Sequence, residues 1–271
     1  MLLRLTAWAG LIAMLAMTAI IALAVATGER TPANELVFTG YESSYADLYL
    51  YDAARGLRHN LTRNAASDMS PVWSPDGSQL AFISNRDGGL HVYVMDADGG
   101  NLRRVTPQGY AFDHPRWTPD GAQLVLFART SGLPDVFTSD PDGSNFQKVE
   151  PEPVNGGTAT SWGVESAPLG GPQSPAGTEF LTLEFTDGEW WLFLSPEADV
   201  PGQKLVQLSM SQGSNSAVRW SPDGRYIAFV STMDGWDDVY IIEARVGAAP
   251  IRLTYDWAQE SELMWRPLST P

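Results

Sequence analysis

The sequence predicts an all-β chain folded as a five-bladed β-propeller, and three spaced landmarks carry that prediction. The first is Trp73-Ser74-Pro75-Asp76-Gly77, which recurs as Trp117-Thr118-Pro119-Asp120-Gly121 and Trp220-Ser221-Pro222-Asp223-Gly224. A worn copy reads Gln173-Ser174-Pro175-Ala176-Gly177, and a truncated one stands at Trp265-Arg266-Pro267. The copies start at 73, 117, 173, 220 and 265, steps of 44, 56, 47 and 45 residues. The second landmark keeps the same clock: Leu61-Thr62, Val105-Thr106, Val149-Glu150, Leu208-Ser209 and Leu253-Thr254. The third is the strand pattern Asp47-Leu48-Tyr49-Leu50-Tyr51-Asp52, repeated at 135–138 and 238–242, with a counterpart at 190–194 in the worn unit. A shared period in this range marks a repeat architecture, and four short strands per period make a propeller blade.

Each element of the unit has a local cause. In the first complete unit, residues 70–73 make a short strand and Ser74-Pro75-Asp76-Gly77 turns the chain. Proline sets φ at the second turn position, Asp suits the third, and Gly takes the positive φ that closes a type I turn into a hairpin. Residues 79–84 form the second strand, and Asn85-Arg86-Asp87-Gly88-Gly89 a second turn. Residues 90–96 form a third strand, with apolar alternation at Val92 and Val94. Ala97-Asp98-Gly99-Gly100-Asn101 is rich in residues that tolerate left-handed geometry, and the fourth strand follows at 102–106.

The first unit has only three strands, at 35–39, 47–52 and 57–62, and lacks the leading one. The chain's end supplies a strand at 262–265, which closes the circle and leaves no open edge. The blades are then 35–62 with 262–265, 70–106, 114–150, 166–209 and 217–254. A six-bladed ring is the alternative, and it requires residues 151–171 to hold part of another blade. That stretch, with Pro151, Pro153, Gly156, Gly157, Gly163, Pro168, Gly170 and Gly171, reads as a long loop carrying Trp162.

The chain ahead of the repeats has a different character. From Leu5 to Ala26 runs a stretch of 22 residues without a charge, preceded by Arg4. As a helix it spans roughly 33 Å, enough for a bilayer core of about 30 Å. The basic residue on its N-terminal side places that end in the cytoplasm and the propeller outside. Its length favours an uncleaved anchor, while Ala24-Val25-Ala26 is a site at which a signal peptidase would release a secreted protein. The expected organisation is therefore a signal-anchor or signal peptide at 1–27, a tether at 28–34 and the propeller at 35–271. The net charge of −15 argues against nucleic acid and against an anionic lipid surface as partners. The absence of cysteine excludes disulfide and thiolate chemistry.

The pattern Pro-x-Trp-Ser-Pro-Asp-Gly, an Ala-Phe strand, Arg-Asp-Gly, a Tyr-Val-Met-Asp strand, Asp-Gly-Gly-Asn and a closing apolar-Thr pair resembles the blade repeat of TolB-type propellers. Residues 71–106 match almost throughout, 115–149 and 218–254 well, and 172–209 poorly. The resemblance implies a propeller of the cell envelope that binds a protein partner. Complete TolB proteins also carry an α/β domain ahead of the propeller, where this sequence has only the apolar segment and tether. The same repeat occurs in the propellers of prolyl oligopeptidase-like peptidases, whose hydrolase domain needs a Gly-x-Ser-x-Gly elbow. None occurs here. The WD40 family fits less well, since the one Trp-Asp pair, Trp236-Asp237, precedes a third strand.

Chemistry is sparse. His59, His91 and His114 show no metal-ligand spacing, so no metal and no cofactor is expected. Asp96-Ala97-Asp98-Gly99 and Asp140-Pro141-Asp142-Gly143 lack the rest of a calcium loop and read as hairpin turns. One constellation remains. The loop leading into each innermost strand lies at a mouth of the central channel, where propellers commonly bind ligands. Those positions hold Asp68, Asp113 with His114, Asn215 and Glu260, joined by Glu165 from the long loop. Tyr110, Phe112 and Trp257 lie close by in sequence as apolar walls. One reading is a polar, acidic ring that holds a cationic group, a sugar or a peptide. A second makes three of its carboxylates a glycosidase acid, nucleophile and stabiliser. A third has these side chains accept backbone N–H bonds that pin one blade to the next. The function expected is an extracytoplasmic binding or scaffolding module contacting a protein or glycan through the channel mouth and residues 151–171. The rival is a carbohydrate-active hydrolase.

Overall fold

The computed structural model describes residues 34–41, 44–128, 135–149, 174–186, 189–195, 202–209, 218–231, 238–254 and 263–268. The apolar run from Leu5 to Ala26, residues 28–33 and the 151–171 stretch lie outside them. The described residues are all-β, without an α-helix, and no helix among them is long and apolar enough to cross a membrane.

Among the described residues, five antiparallel sheets follow one another along the chain. Sheet 1 contains β1 (Glu35–Gly40), β2 (Asp47–Asp52) and β3 (Leu57–Asn60). Sheet 2 is β4 (Asp68–Trp73), β5 (Gln79–Ser84), β6 (His91–Asp96) and β7 (Arg103–Arg104). Sheet 3 is β8 (Arg116–Trp117), β9 (Leu124–Ala128), β10 (Asp135–Ser139) and β11 (Gln147–Val149). Sheet 4 is β12 (Phe180–Thr186), β13 (Glu189–Ser195) and β14 (Gln203–Ser209). Sheet 5 is β15 (Arg219–Trp220), β16 (Tyr226–Ser231), β17 (Asp238–Glu243) and β18 (Ile251–Arg252). The last strand, β19 (Met264–Trp265), returns to sheet 1 and pairs antiparallel with β1, Leu36 opposite Trp265.

Central strands such as Gln-Leu-Ala-Phe-Ile-Ser and Asp-Val-Tyr-Ile-Ile-Glu are apolar on successive residues because both faces of each sheet are covered. The buried side chains divide by seam accordingly. Leu36 and Phe38 pack with Val230 and Ile241 of sheet 5, while the intervening Val37 packs with Leu80 and Phe82 of sheet 2. Ile83 and Val94 meet Phe112 and Trp117 across the next seam, and Leu192 meets Phe229 and Tyr240 between sheets 4 and 5. Full burial of each such side chain contributes about 1.5–3 kcal/mol.

The repeated motif works at two levels. Locally it is a turn: Gly77 N–H donates to the Ser74 carbonyl at 2.8 Å, and Ser74 N–H to the Gln79 carbonyl at 2.9 Å. Ser74 Oγ donates to Asp76 Oδ1 at 2.6 Å and accepts from Gln79 N–H at 2.9 Å. The same bonds recur at Thr118 with Asp120 and at Ser221 with Asp223. The worn copy has Ala176 in place of the Asp and still makes the turn, with Ser174 Oγ accepting from Glu179 N–H at 3.1 Å. All four turn glycines sit at φ between +68° and +72°. Gly77 is also confined from outside, since a Cβ there would lie 3.0 Å from the Pro267 carbonyl.

Between sheets the motif is a stitch. The indole N–H of Trp73 donates to the Met264 carbonyl, that of Trp117 to Val72 and that of Trp265 to Arg219, at 3.3, 3.1 and 3.1 Å. In each case the acceptor is the residue just before the corresponding position of the preceding sheet. Arg266 reinforces the join between sheets 1 and 2. It donates to the Gly77 carbonyl at 2.6 Å, pairs with buried Glu35 at 2.5 Å and lies over the Trp73 ring. Trp220 is the exception: it is 5 % exposed, and its indole N–H has no partner among the described residues.

The strand-leading Asp and the closing Thr form a lock at the other end of the sheets. Thr62 Oγ1 accepts from Leu48 N–H and donates to Asp47 Oδ1, and Thr254 does the same with Val239 and Asp238, at 3.0 and 3.1 Å in both sheets. In sheet 2 a buried histidine replaces the aspartate, with His91 Nδ1 3.3 Å from Thr106 Oγ1. Burial holds the His91 pKa below its usual 6.5, helped by Arg104 and opposed by Asp87.

Two outcomes are expected. Trp→Phe at 73, 117 or 265 should cost about 1 kcal/mol more in urea denaturation than Trp220→Phe, because the first three lose an indole hydrogen bond present among the described residues. The depressed His91 pKa means that the unfolded chain binds its proton first. Its contribution is present in full above about pH 6.5 and is lost as pH falls toward the folded value. Melting curves of His91→Asn between pH 7.5 and 5 should therefore fall less steeply than those of the unaltered chain.

Candidate functional site

Two of the positions singled out ahead of the innermost strands are described, and they have opposite characters. Asp68 opens β4 and is fully buried. Its backbone N–H donates to the Ala46 carbonyl of sheet 1 at 2.8 Å, which fixes the start of the innermost strand against the neighbouring sheet. Both carboxylate oxygens are occupied: Oδ1 accepts from Arg86 Nη2 at 2.8 Å and Oδ2 from Asn64 Nδ2 at 2.6 Å. Arg86 is held in turn by Ser84 Oγ at 3.0 Å and lies over the rings of Tyr93 and Phe82. Asp68 thus joins two sheets and neutralises a largely buried guanidinium.

Asp113 and His114 form an accessible pair. Asp113 N–H donates to the Phe127 carbonyl at 2.8 Å, anchoring the backbone ahead of β8. Asp113 Oδ1 accepts from the His114 backbone N–H at 3.0 Å and lies 2.7 Å from His114 Nδ1. The side chains are 33 % and 63 % exposed, so a carboxylate-oriented imidazole is presented to solvent. That pair can donate or accept a hydrogen bond with a polar ligand.

The repeat register explains the contrast. Phe112 N–H donates to the Leu90 carbonyl at 3.0 Å, the bond that Asp68 makes with Ala46 one repeat earlier. Phe112 bridges Ala128 as Asp68 pairs with Ser84. The structural equivalent of Asp68 is therefore the fully buried Phe112, and Asp113 stands one residue further along. Successive strand residues point to opposite sides, so the one-residue offset turns Asp113 away from the buried position. Phe112 belongs to an aromatic group in which Tyr110, itself 42 % exposed, meets Phe137 edge-on at 5.0 Å.

Glu165, Asn215, Glu260 and Trp257, together with Trp162, lie outside the described residues. Among the described residues no group of three His, Asp or Glu side chains could hold a metal ion. The residues missed at the sequence level are Asn64 and Arg86, the partners of Asp68. Arg86 belongs to the Arg-Asp-Gly turn, and nothing in its local sequence shows that it reaches back 18 residues.

Two substitutions separate the roles. Asp68→Ala should cost more than about 2 kcal/mol in denaturant unfolding, because Arg86 is left with an uncompensated, largely buried charge. Asp113→Ala, at an exposed pair, should cost less than about 1 kcal/mol.

The sequence pattern of PD40, the TolB beta propeller domain, matches residues 26–161, half of the chain. A Protein TolB homolog of Chlorobium chlorochromatii is 40% identical over 53 residues, 20% of this chain and 12% of that protein. TolB from Acinetobacter baumannii is similar in structure at 18% identity and a TM-score of 0.41, covering 87% of this chain and 55% of that one. An oligogalacturonate lyase from Vibrio parahaemolyticus is similar at 17% identity and a TM-score of 0.34, over 74% and 55%. The chain thus spans an eighth of the curated relative and about half of these solved proteins. With its turns, locks and stitches spaced as the repeat requires, the chain belongs to the TolB beta propeller domain family.

Proposed function

We propose that this chain is an extracytoplasmic, membrane-tethered binding scaffold, a five-bladed propeller closed by its C-terminal strand. In this reading it holds a protein or glycan ligand at the channel mouth and along residues 151–171. The observation that carries the reading is the division of the molecule into two faces. The Ser-Pro-Asp-Gly turns and the turns after the third strands lie at one end of the sheets and touch one another. Pro75 packs on Gly121, Pro175 on Gly224, and Arg103 donates to the Pro141 carbonyl at 2.7 Å. Those turns are engaged in holding the ring. The opposite end carries the loops leading into the innermost strands, with Asp113 and His114 accessible.

The chain meets the propeller on the turn side. The Asn34 carbonyl accepts from Ala53 N–H at 2.8 Å, and Ala53 belongs to the turn between β2 and β3. A seven-residue tether reaches at most about 25 Å, so an anchor formed by the run from Leu5 to Ala26 would keep the turn face toward the bilayer. The channel mouth would then point outward, toward a partner. The basic Arg4 and the charge of −15 support an exported propeller.

The test uses a photoreactive residue in the full chain in its native membrane. Placed at His114, it should crosslink to a defined partner, whereas at Asp98 on the turn face it should not. Protease or glycosidase treatment of the adduct identifies the ligand as protein or glycan. The chain should resist extraction by salt, and a version starting at Gly28 should be soluble. Equal adducts from both positions, or release of the full chain by salt, would contradict the reading.

A further inference from the structure

The turns that join third and fourth strands lie at one end of the sheets, and their chemistry divides that end in two. Backbone bonds fix their place: Ala53 N–H donates to the Asn34 carbonyl, Ala97 N–H to that of Ser78 and Ala244 N–H to that of Arg225, at 2.8, 3.0 and 2.9 Å. In sheets 2 and 3 the turns read Asp-Ala-Asp-Gly-Gly-Asn (96–101) and Asp-Pro-Asp-Gly-Ser-Asn (140–145), each with two carboxylates and no base. Hydrogen bonds hold two of these carboxyls below their usual range, from Gln123 and Asn145 to Asp140 and from Ser144 to Asp142. In sheets 1 and 5 the turns read Asp-Ala-Ala-Arg-Gly-Leu (52–57) and Glu-Ala-Arg-Val-Gly-Ala-Ala-Pro-Ile (243–251). Each balances one carboxylate with one arginine, and its other residues are small or apolar. The arginine stays close to its carboxylate, Arg55 at 3.7 Å from Asp52 and Arg245 at 2.5 Å from Glu243.

The large apolar residues of the second group face solvent. Ile251 is 56 % exposed, Val246 47 % and Leu57 46 %. The two turns are neighbours, since Ala53 and Ala54 border the same hollow as Ala248, Ala249 and Ile251. Their outer strands meet as well, with Arg58 Nη1, next to Leu57, donating to the Leu253 carbonyl at 2.8 Å. Leu102 is also exposed at the sheet 2 turn, but it follows the carboxylates Asp96 and Asp98. A charge-balanced, apolar rim at sheets 1 and 5 thus stands against an acidic rim at sheets 2 and 3. Such clustering of exposed apolar side chains marks a contact surface.

We propose that the rim of sheets 1 and 5 rests on the headgroup layer of a lipid bilayer, with the acidic rim tilted into the water. The proposal rests on the reading of the chain as membrane-tethered. The point at which the chain enters the fold selects the bilayer as the occupant. Asn34 stands opposite Ala53, within this rim, and the seven-residue tether keeps it within about 25 Å of the outer end of the Leu5–Ala26 run. A weak contact becomes persistent under that constraint, because the tether makes the encounter intramolecular. The layer below the headgroups accepts apolar side chains and arginine stems, and the guanidinium groups reach the lipid phosphates. Carboxylates of the acidic rim would lose hydration there and meet phosphates of like sign. The net charge of −15 opposes a lipid contact for the chain as a whole, and this rim is the part of the turn face that escapes the repulsion.

The chain has no cysteine, so single cysteines can be introduced and labelled with a fluorophore. The full chain carrying Val246→Cys, Leu57→Cys or Asp142→Cys would be reconstituted in phosphatidylcholine vesicles containing a headgroup-spin-labelled lipid as quencher. Labels at 246 and 57 should be quenched at least about threefold more than the label at 142, as befits a rim within about 10 Å of the headgroups. Val246→Glu with Ile251→Glu, folded as judged by unchanged melting, should lower the quenching at 57 by about threefold or more. Retention through an alkaline carbonate wash reports the anchor separately. A retained chain that is quenched equally at 57, 246 and 142 overturns the proposal and leaves the tether standing. So does quenching at 57 that the two glutamates leave unchanged. Release by carbonate overturns the tether reading and the proposal with it.

Discussion

The bond from a tryptophan indole to a carbonyl of the neighbouring sheet is the interaction on which the arrangement depends. Each innermost strand is the edge of its sheet, and an edge strand leaves carbonyls without ladder partners. A tryptophan in the next sheet supplies one donor, on a ring wide enough to fill the seam. The bond therefore satisfies a polar group and fixes the offset between two sheets that share no ladder. The turn after the tryptophan fixes it further, because its proline packs against the glycine of the next turn, as Pro75 does on Gly121, and Pro267 lies against Gly77 in the same way. One five-residue motif thus specifies a hairpin and an intersheet registration together.

Much of this was legible in the sequence because the motif's chemistry is local. Proline, Asp and Gly state a turn wherever they stand in that order, and the spacing of the copies states that antiparallel sheets repeat along the chain. The worn copy shows how little the turn itself needs. Gln173 replaces the donor and Ala176 the capping carboxylate, yet Ser174 and Gly177 keep the turn closed. The Trp220 indole N–H, at the seam next to that worn unit, has no partner among the described residues.

The surroundings of the candidate residues were not legible. Asp68 and Asp113 look alike in sequence, each a carboxylate shortly before an innermost strand. In the fold they are one residue out of register, and the two-residue period of side chains sends them to different environments. Asp68 is committed to Arg86, a partner hidden in what reads as an ordinary turn. The Asp–Thr landmarks were visible as a repeated pair, but that the hydroxyl bonds both the backbone and the aspartate could be seen only in three dimensions. Fold-level kinship cannot supply what these residues bind, since one propeller repeat serves many roles.

The central claim is that the chain's end is an integral part of sheet 1, joined through β19, Trp265 and Arg266. Native-state amide hydrogen exchange at Leu36, Val37 and Trp265 tests it most directly. If the account is right, these amides exchange as slowly as those of the central strands β5 and β16, through global unfolding alone. If they exchange orders of magnitude faster while β5 and β16 stay protected, the closing strand is a detachable edge and the account is wrong.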